Sequence, residues 1–281
     1  MIDTDYLRTR ERPNWCPGCG NFSILVALKA ALAELGLKSH EVVLTSGIGC
    51  SSKIPQWIRT YGFNGLHGRP LPLAKGIQLA NHELKVIACG GDGDGYAEGT
   101  NHFIHFCRSN INVAYFVHDN QIYALTKGQA SPTSDGGFIT KTTPYGVIEK
   151  AVNPLLLALS AGATFVARGF AGDVNHLKGL MKKAVIHKGA AVIDILQPCV
   201  TFNKKNTYDW YNKRVYKLKN HEPTMIKAVK RAMEWGKRIP IGVFYKVREK
   251  TYQERYPVIK KTPLIKQGVK NDITKLLHEL K

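Results

Sequence analysis

No stretch of the 281 residues approaches the ~18 consecutive apolar residues of a membrane span. The first residues, Met1-Ile2-Asp3-Thr4-Asp5, lack the charged-then-apolar pattern of a secretory leader. A cytoplasmic protein with no membrane partner is the expectation. Cysteine is scarce, at 6 residues, which excludes a disulfide scaffold. Internal repeats and low-complexity segments are missing, so solenoid and fibrous architectures are excluded. Acidic residues are few: 21 Asp and Glu face 40 Lys and Arg, a net charge of +19.

The apolar fraction of 44% is that of an ordinary globular chain and excludes disorder throughout. The length allows one large domain, or a domain with an appendage. The positive charge is unevenly spread. Residues 201–281 hold 21 of the 40 Lys and Arg but only 7 acids, whereas residues 1–200 are nearly balanced. The division is therefore read as a main domain over 1–200 and a basic C-terminal extension over 201–281, packed on that domain or on a partner subunit. Such an extension attracts an anionic partner, nucleic acid or an acidic protein alike.

Strand-length apolar runs at 42–46, 85–89, 112–118, 163–168 and 190–196 alternate with helical patterns at 21–35, 95–109 and 176–187. That alternation predicts an α/β fold with a mainly parallel sheet flanked by helices. Asn21 is the expected N-cap of the first helix. The stretch 120–146 is long and holds Gly, Pro and Ser, which marks a functional loop. Beyond 201, a basic helix over 222–235, a strand over 241–247 and a last helix over 271–280 are expected.

Ligands of such sheets bind beyond the carboxyl ends of the strands. Gly91-Asp92-Gly93-Asp94 stands at one strand end, and Asp119-Asn120-Gln121 at the next. Glycines there let backbone N–H groups approach a phosphate. The Asp92 carboxylate, the Asn120 amide oxygen and a nearby main-chain carbonyl form a hard donor set suited to Mg²⁺. A calcium loop starting at Asp92 fails, because its twelfth position is Phe103 rather than Glu. The dinucleotide fingerprint lacks its last glycine, and no Walker A lysine is present. A plain tight turn with a solvated Asp is the alternative.

Cys16 and Cys19 form a C-x-x-C pair; Cys50 and Cys199 each follow a strand end. Four thiolates suit zinc or an iron–sulfur cluster, and the spacing alone decides neither. Cys89 and Cys107 sit in apolar strand and helix patterns and are read as core thiols. With zinc, the chain would be a nucleic-acid-binding protein, but that reading leaves the Asp92–Asn120 pattern unexplained.

The segments Trp15–Gly20, Gly47-Ile48-Gly49-Cys50-Ser51-Ser52, His67-Gly68-Arg69-Pro70, Gly91-Asp92-Gly93-Asp94, Asp119–Gln129 and Ser131-Pro132-Thr133 resemble, in order and spacing, the β subunit of 2-oxoacid:ferredoxin oxidoreductases. The resemblance spans about residues 12–203, and the wording around Trp15 and Leu125 is closest to the 2-oxoglutarate branch. It implies a thiamine-diphosphate-binding fold. It implies a [4Fe–4S] cluster on Cys16, Cys19, Cys50 and Cys199, and Mg²⁺ on Asp92, Asn120 and the main-chain oxygen of Ile122. It resolves the choice between zinc and cluster, and it removes nucleic acid from the expected partners.

The implied activity is oxidative decarboxylation of a 2-oxoacid to acyl-coenzyme A, with electrons passed to an acidic ferredoxin. Action on pyruvate or a broad range of 2-oxoacids is the alternative, as is simple decarboxylation, which would leave Cys16 and Cys199 idle. Lys53 is expected to bring its amine to the reaction centre. Ser51 and Ser52 are expected on cluster sulfurs or diphosphate, His67 and Arg69 on diphosphate or a subunit interface, Thr126 and Lys127 on diphosphate or a substrate carboxylate, and Leu125 against the coenzyme. The glutamate that activates the thiamine pyrimidine is missing from every motif here, so an α subunit is expected to supply it.

Overall fold

Short apolar runs rich in β-branched residues and buried on both faces suit central parallel strands, and those at 42–46, 113–117 and 190–196 form them here. The computed structural model describes residues 3–268 and 273–279. Helix α1 (Gly20–Glu34) leads into β1 (Val42–Ser46), edge strand β2 (Tyr61–Asn64), α2 (Pro70–Ala80) and β3 (Lys85–Gly91). Helix α3 (Thr100–Ser109) precedes β4 (Val113–Asp119) and a small hairpin, β5 (Ile122–Tyr123) with β6 (Gln129–Ala130). Then come α4 (Pro154–Ser160), β7 (Phe165–Phe170), α5 (Val174–Ile186) and β8 (Ala190–Leu196). The chain continues through α6 (Tyr208–Asn212), β9 (Val215–Lys217), α7 (Met225–Ala232), β10 (Ile239–Lys246), α8 (Tyr252–Arg255) and α9 (Thr274–Glu279).

Eight strands form one sheet in the order β2-β1-β3-β4-β8-β7-β10-β9. Every pairing is parallel except β10 against β7. Helices cover both faces. Along β4, Ala114 and Phe116 point to the layer of α1 and α5, while Val113, Tyr115 and Val117 point to the layer of α2, α3, α4 and α7. Fully buried anchors such as Leu28 and Phe116 each contribute ~1.5–3 kcal/mol of apolar burial. Strands β9 and β10, both beyond residue 200, are hydrogen-bonded into this same sheet, and Ala228 and Ala232 of α7 pack into the core beside Leu155 and Leu159 of α4.

Three expectations are corrected. Asn21 is not the N-cap of α1. The cap is Cys19, in extended conformation, and the Gly20 N–H donates to the carbonyl of Pro198, so the helix starts one residue earlier. Asn21 is instead fully buried, with its side-chain oxygen 2.6 Å from Nδ1 of His118. The helix expected over 95–109 is two pieces: a π-turn over Asp94–Glu98, then α3. The basic helix is shorter than expected, because Thr224 caps it at Met225 and it ends at Ala232. Of the helix expected over 271–280, residues 271, 272 and 280 lie outside the described residues.

The carboxyl ends of β1, β3, β4 and β8 emerge on one edge of the sheet, since these strands are mutually parallel. Gly47–Cys50, Asp92–Asp94, Asn120–Ile122 and Gln197–Cys199 follow directly, which brings four remote segments to one place.

Candidate functional site

Asp94 ties that edge together. One carboxylate oxygen accepts the backbone N–H of Ile48 at 2.9 Å and of Gly68 at 2.8 Å, and lies 2.8 Å from Nδ1 of His67. Burial pushes its carboxyl above the usual range, and these donors oppose the shift. Its other oxygen, Oδ2, is buried with no partner among the described residues. Gly47 must be glycine, since a β-carbon there would run into the Asp94 carboxylate. Gly93 must be too, because a β-carbon would strike the Tyr123 ring.

Asp92 is 2% exposed. The Thr133 hydroxyl lies 2.7 Å from its Oδ2 and 2.8 Å from Oδ1 of Asp119. A hydroxyl carries one hydrogen, so it cannot donate to both carboxylates. Burial, then the charges of Asp194 and Asp92, pushes the Asp119 carboxyl well above its ordinary range. The Thr133 hydroxyl therefore serves one of the two carboxyl groups at a time, and its contact with Asp92 is the shorter. Behind this group Arg168 and Asp194 face each other across β7 and β8 at 3.6 Å, and the Tyr96 hydroxyl donates to Asp194 at 3.1 Å.

Asn120 turns the chain out of β4. Its side-chain oxygen accepts the Ile122 N–H at 3.0 Å, and its carbonyl accepts from Asn203 at 3.0 Å. Gln121 adopts φ of +56°, an unfavourable region for a non-glycine residue. It is held there by its own N–H to Asp119 at 3.2 Å and by its side chain to the Thr133 carbonyl at 2.6 Å.

Two cavities open on this edge. One is lined by Cys50, Ser51, His67, Gly91, Asp92, Gly93, Asp94, Asn120, Ile122, Leu125 and Thr126. The other, about 200 Å³, is lined by Cys16, Cys19, Cys50 and Cys199, with Lys53, Asn120, Leu125 and Gln197. Cys50, Asn120, Ala124 and Leu125 belong to both. Of the residues singled out in the sequence, Ser52, Arg69 and Lys127 line neither. Ser52 is buried with its hydroxyl unpartnered among the described residues, Arg69 reaches the carbonyl of Glu98 at 3.0 Å, and Lys127 sits on an exposed turn at φ of +78°.

The four thiols surround their cavity from different elements. The Trp15 indole donates to the Cys50 carbonyl at 2.7 Å and Gln197 donates to Sγ of Cys19 at 3.4 Å. Burial pushes the Cys19 thiol up to about 11 and raises Cys50, against which the Lys53 charge works. Neighbouring cationic or metal charge is what would turn such thiols into thiolates. Among the described residues no group of three or more His, Cys, Asp or Glu is drawn onto a single ion. A zinc ion needs all four sulfurs at ~2.3 Å. Four thiols lining one cavity are a donor set that either zinc or an iron–sulfur cluster takes. Cys89 and Cys107 are fully buried among apolar side chains, with Cys89 pushed up to about 12 by burial.

The oxygens of Asp92 and Asn120 are a hard set of the kind Mg²⁺ takes, each with a lone pair left to give, and the unpartnered Asp94 oxygen belongs to a residue lining the same cavity. Sequence reasoning passed over Thr133 as a site residue, and over Glu98, whose two oxygens each lie 3.2 Å from the Tyr123 hydroxyl. The proline-flanked Ser131-Pro132-Thr133 was the available signal for the first. Nothing in the sequence signals the second.

Residues 42–195 match the family described as thiamine pyrophosphate enzyme, C-terminal TPP binding domain, and residues 199–261 match the C-terminal family of the pyruvate ferredoxin oxidoreductase beta chain. A 2-oxoacid:ferredoxin oxidoreductase subunit beta of Saccharolobus solfataricus is 50% identical over 262 residues, 87% of this chain and 86% of the relative. The 2-oxoglutarate oxidoreductase subunit KorB of Mycobacterium tuberculosis is 46% identical over 78% of this chain and 60% of its own. A solved 2-oxoglutarate:ferredoxin oxidoreductase from Magnetococcus marinus, with 2-oxoglutarate, coenzyme A and succinyl-CoA bound, superposes at a TM-score of 0.92 with 39% identity, covering 100% of this chain and 96% of that one.

Proposed function

Because the chain belongs to the β subunits of the 2-oxoacid:ferredoxin oxidoreductases, we propose that, with an α subunit, it converts a 2-oxoacid and coenzyme A to acyl-coenzyme A and carbon dioxide. Two electrons leave to an acidic ferredoxin. The substrate is 2-oxoglutarate, supported by the names of the Mycobacterium relative and of the Magnetococcus structure. The observation that carries the reading is the meeting of two cavities at Cys50, Asn120, Ala124 and Leu125, one with hard oxygen donors and the other with four thiols.

Mg²⁺ would be held by Asp92, Asn120 and the main-chain oxygen of Ile122, with thiamine diphosphate beside it. When bound, that coenzyme supplies the electron sink that decarboxylation of a 2-oxoacid requires. Cys16, Cys19, Cys50 and Cys199 would hold a [4Fe–4S] cluster, which supplies one-electron transfer.

The chain's own residues orient and neutralise. Asp94 fixes the 47–50 and 67–69 loops against the turn after β3. Ser51, His67 and Thr126 line the oxygen-donor cavity and offer hydrogen bonds to a diphosphate. Lys53 donates to Asn14 at 3.1 Å on the thiol cavity, where its ammonium attracts a substrate carboxylate. Lys127, on the exposed turn that follows Thr126, serves a second carboxylate. Leu125 lines both cavities and gives them a shared apolar surface. The net charge of +19 favours an acidic electron carrier in the cytoplasm.

The glutamate that activates the coenzyme is supplied by the α subunit. Anaerobically purified αβ protein is expected to contain iron and thiamine and to reduce ferredoxin with 2-oxoglutarate and coenzyme A, while the chain alone does not. A colourless αβ protein without iron, or full activity from the isolated chain, overturns this reading.

A further inference from the structure

A second concave surface lies away from both cavities, at the far end of α3. That helix starts at Thr100, beside the π-turn, and ten residues at ~1.5 Å each carry it ~15 Å off. Here a cavity of about 360 Å³ is lined by Lys75 of α2, His105 and Arg108 of α3, and Tyr252, Arg255 and Tyr256 at α8. Three cations and no carboxylate line it, and among the described residues none of the three cations forms an ion pair. Arg108 and Arg255 are exposed.

The surroundings hold these groups in place. Asn110 ends α3 in the left-handed conformation, φ 47°, and its carbonyl accepts the Tyr252 N–H at 3.1 Å. Its side chain donates to the Lys250 carbonyl at 3.2 Å, and the Asn112 N–H donates to Gln253 at 3.4 Å. Thr251 and Glu254 close a capping box over α8. The Arg255 Nε donates to the Lys250 carbonyl at 2.8 Å, which leaves its terminal nitrogens for a ligand. Arg108 lies 3.3 Å from Nδ1 of His105. The pocket thus presents cationic donors from three elements and no carboxylate to compete for them.

One wall is aromatic. The Lys75 ammonium sits 5.0 Å from the centroid of Tyr252, and the Tyr256 ring lies 5.9 Å further along at a 39° tilt. Tyr256 is 48% exposed, so the stack ends on a ring still open to solvent. Cations beside an open aromatic face fit an anion that carries a planar ring.

We infer that this pocket binds a nucleoside polyphosphate, with Lys75, Arg108 and Arg255 on the phosphates and Tyr256 on the base. The site is separate from the oxidoreductase cavities and does not rest on the assignment of either.

The test uses the αβ complex and isothermal titration with ATP and, in parallel, inorganic tripolyphosphate. ATP is expected to bind, more tightly than tripolyphosphate. Arg108→Ala with Arg255→Ala should weaken ATP at least tenfold, and Tyr256→Ala should remove the preference for ATP over tripolyphosphate. These positions are exposed, so the Tm and the ATP-free oxidoreductase rate should stay at wild-type values. No binding of ATP to the complex overturns the proposal. So does ATP binding that the double variant leaves unchanged, or a tripolyphosphate affinity equal to that of ATP with Tyr256→Ala silent.

Discussion

Gly47 and Asp94, 47 residues apart in sequence, occupy each other's space: the carboxylate of one lies where the other would carry a β-carbon. The same carboxylate accepts the N–H of Ile48, so the loop after β1 is fastened to the turn after β3 at its first residues. Gly47→Ala must push Asp94 away and break that bond. The expected cost is about 1–3 kcal/mol of stability, with a larger loss in thiamine diphosphate affinity, because the Gly49–Ser51 loop lines the same cavity. Thermal melts of the apo protein and fluorescence titration of the coenzyme measure the two. Wild-type values in both would show that the loop does not depend on this contact.

One hydroxyl between two carboxyl groups makes Thr133 the next test. Thr133→Val keeps the shape and removes the hydroxyl that donates to Asp92. A buried acceptor that loses its donor costs about 1–3 kcal/mol, and the Asp92–Asp119 pair loses its bridge. Stability and Mg²⁺ affinity should both fall. Thr133→Ser, which keeps the hydroxyl, should recover most of the Mg²⁺ affinity. Equal affinities for the Val and Ser variants would remove Thr133 from the site.

These two relationships also mark where the sequence stopped being readable. Strands β1 and β8 lie within the residues expected because short runs rich in Val and Ile suit a central parallel strand, and Asp92 and Asn120 are legible as polar residues at strand ends. What joins them is not. Asp94 meets partners 46 and 26 residues away, and Thr133 meets Asp92 across 41, so no local pattern carries the contact. The π-turn over Asp94–Glu98 reads as plain helix because its residues suit either. Asn21 looks like a cap because it is a small polar residue before an apolar run, yet its partner, His118, is 97 positions on. Strand β9 has three residues, too short for any periodicity, and it pairs only because β10 offers an edge.

A pH test follows from His187. Its Nε2 lies 2.8 Å from the Thr164 hydroxyl, and burial, then the charges of Lys246 and Arg248, pushes the imidazole down from 6.5 to about 4. Between those values the unfolded chain binds the proton and the folded chain does not, so stability rises with pH across that window. The contribution is present above pH 6.5 and is lost as the pH falls toward 4. Its slope is at most one proton, ~1.4 kcal/mol per pH unit, and less in practice because the ring is not wholly shielded. His187→Gln should flatten the acid limb of urea-derived stability between pH 6.5 and 4. An unchanged slope would mean that His187 titrates normally in the folded state.

The thiols separate into two groups by surroundings, and iron content distinguishes them. Cys16 is exposed at the mouth of a cavity shared with Cys19, Cys50 and Cys199, while Cys107 is fully buried between apolar side chains of α3 and its neighbours. Cys16→Ala deletes a proposed cluster ligand but almost no packing, so the apo fold should keep its Tm while iron and visible absorbance fall to a small fraction of wild type. Cys107→Ala deletes packing and no ligand, so iron should remain and stability should drop by about 1 kcal/mol, the worth of roughly one buried methylene-sized group. The assignment depends on this crossing of effects. If Cys16→Ala bound as much iron per chain as wild type, or if Cys107→Ala lost its iron while remaining folded, the four-thiol cavity would not be the cluster site.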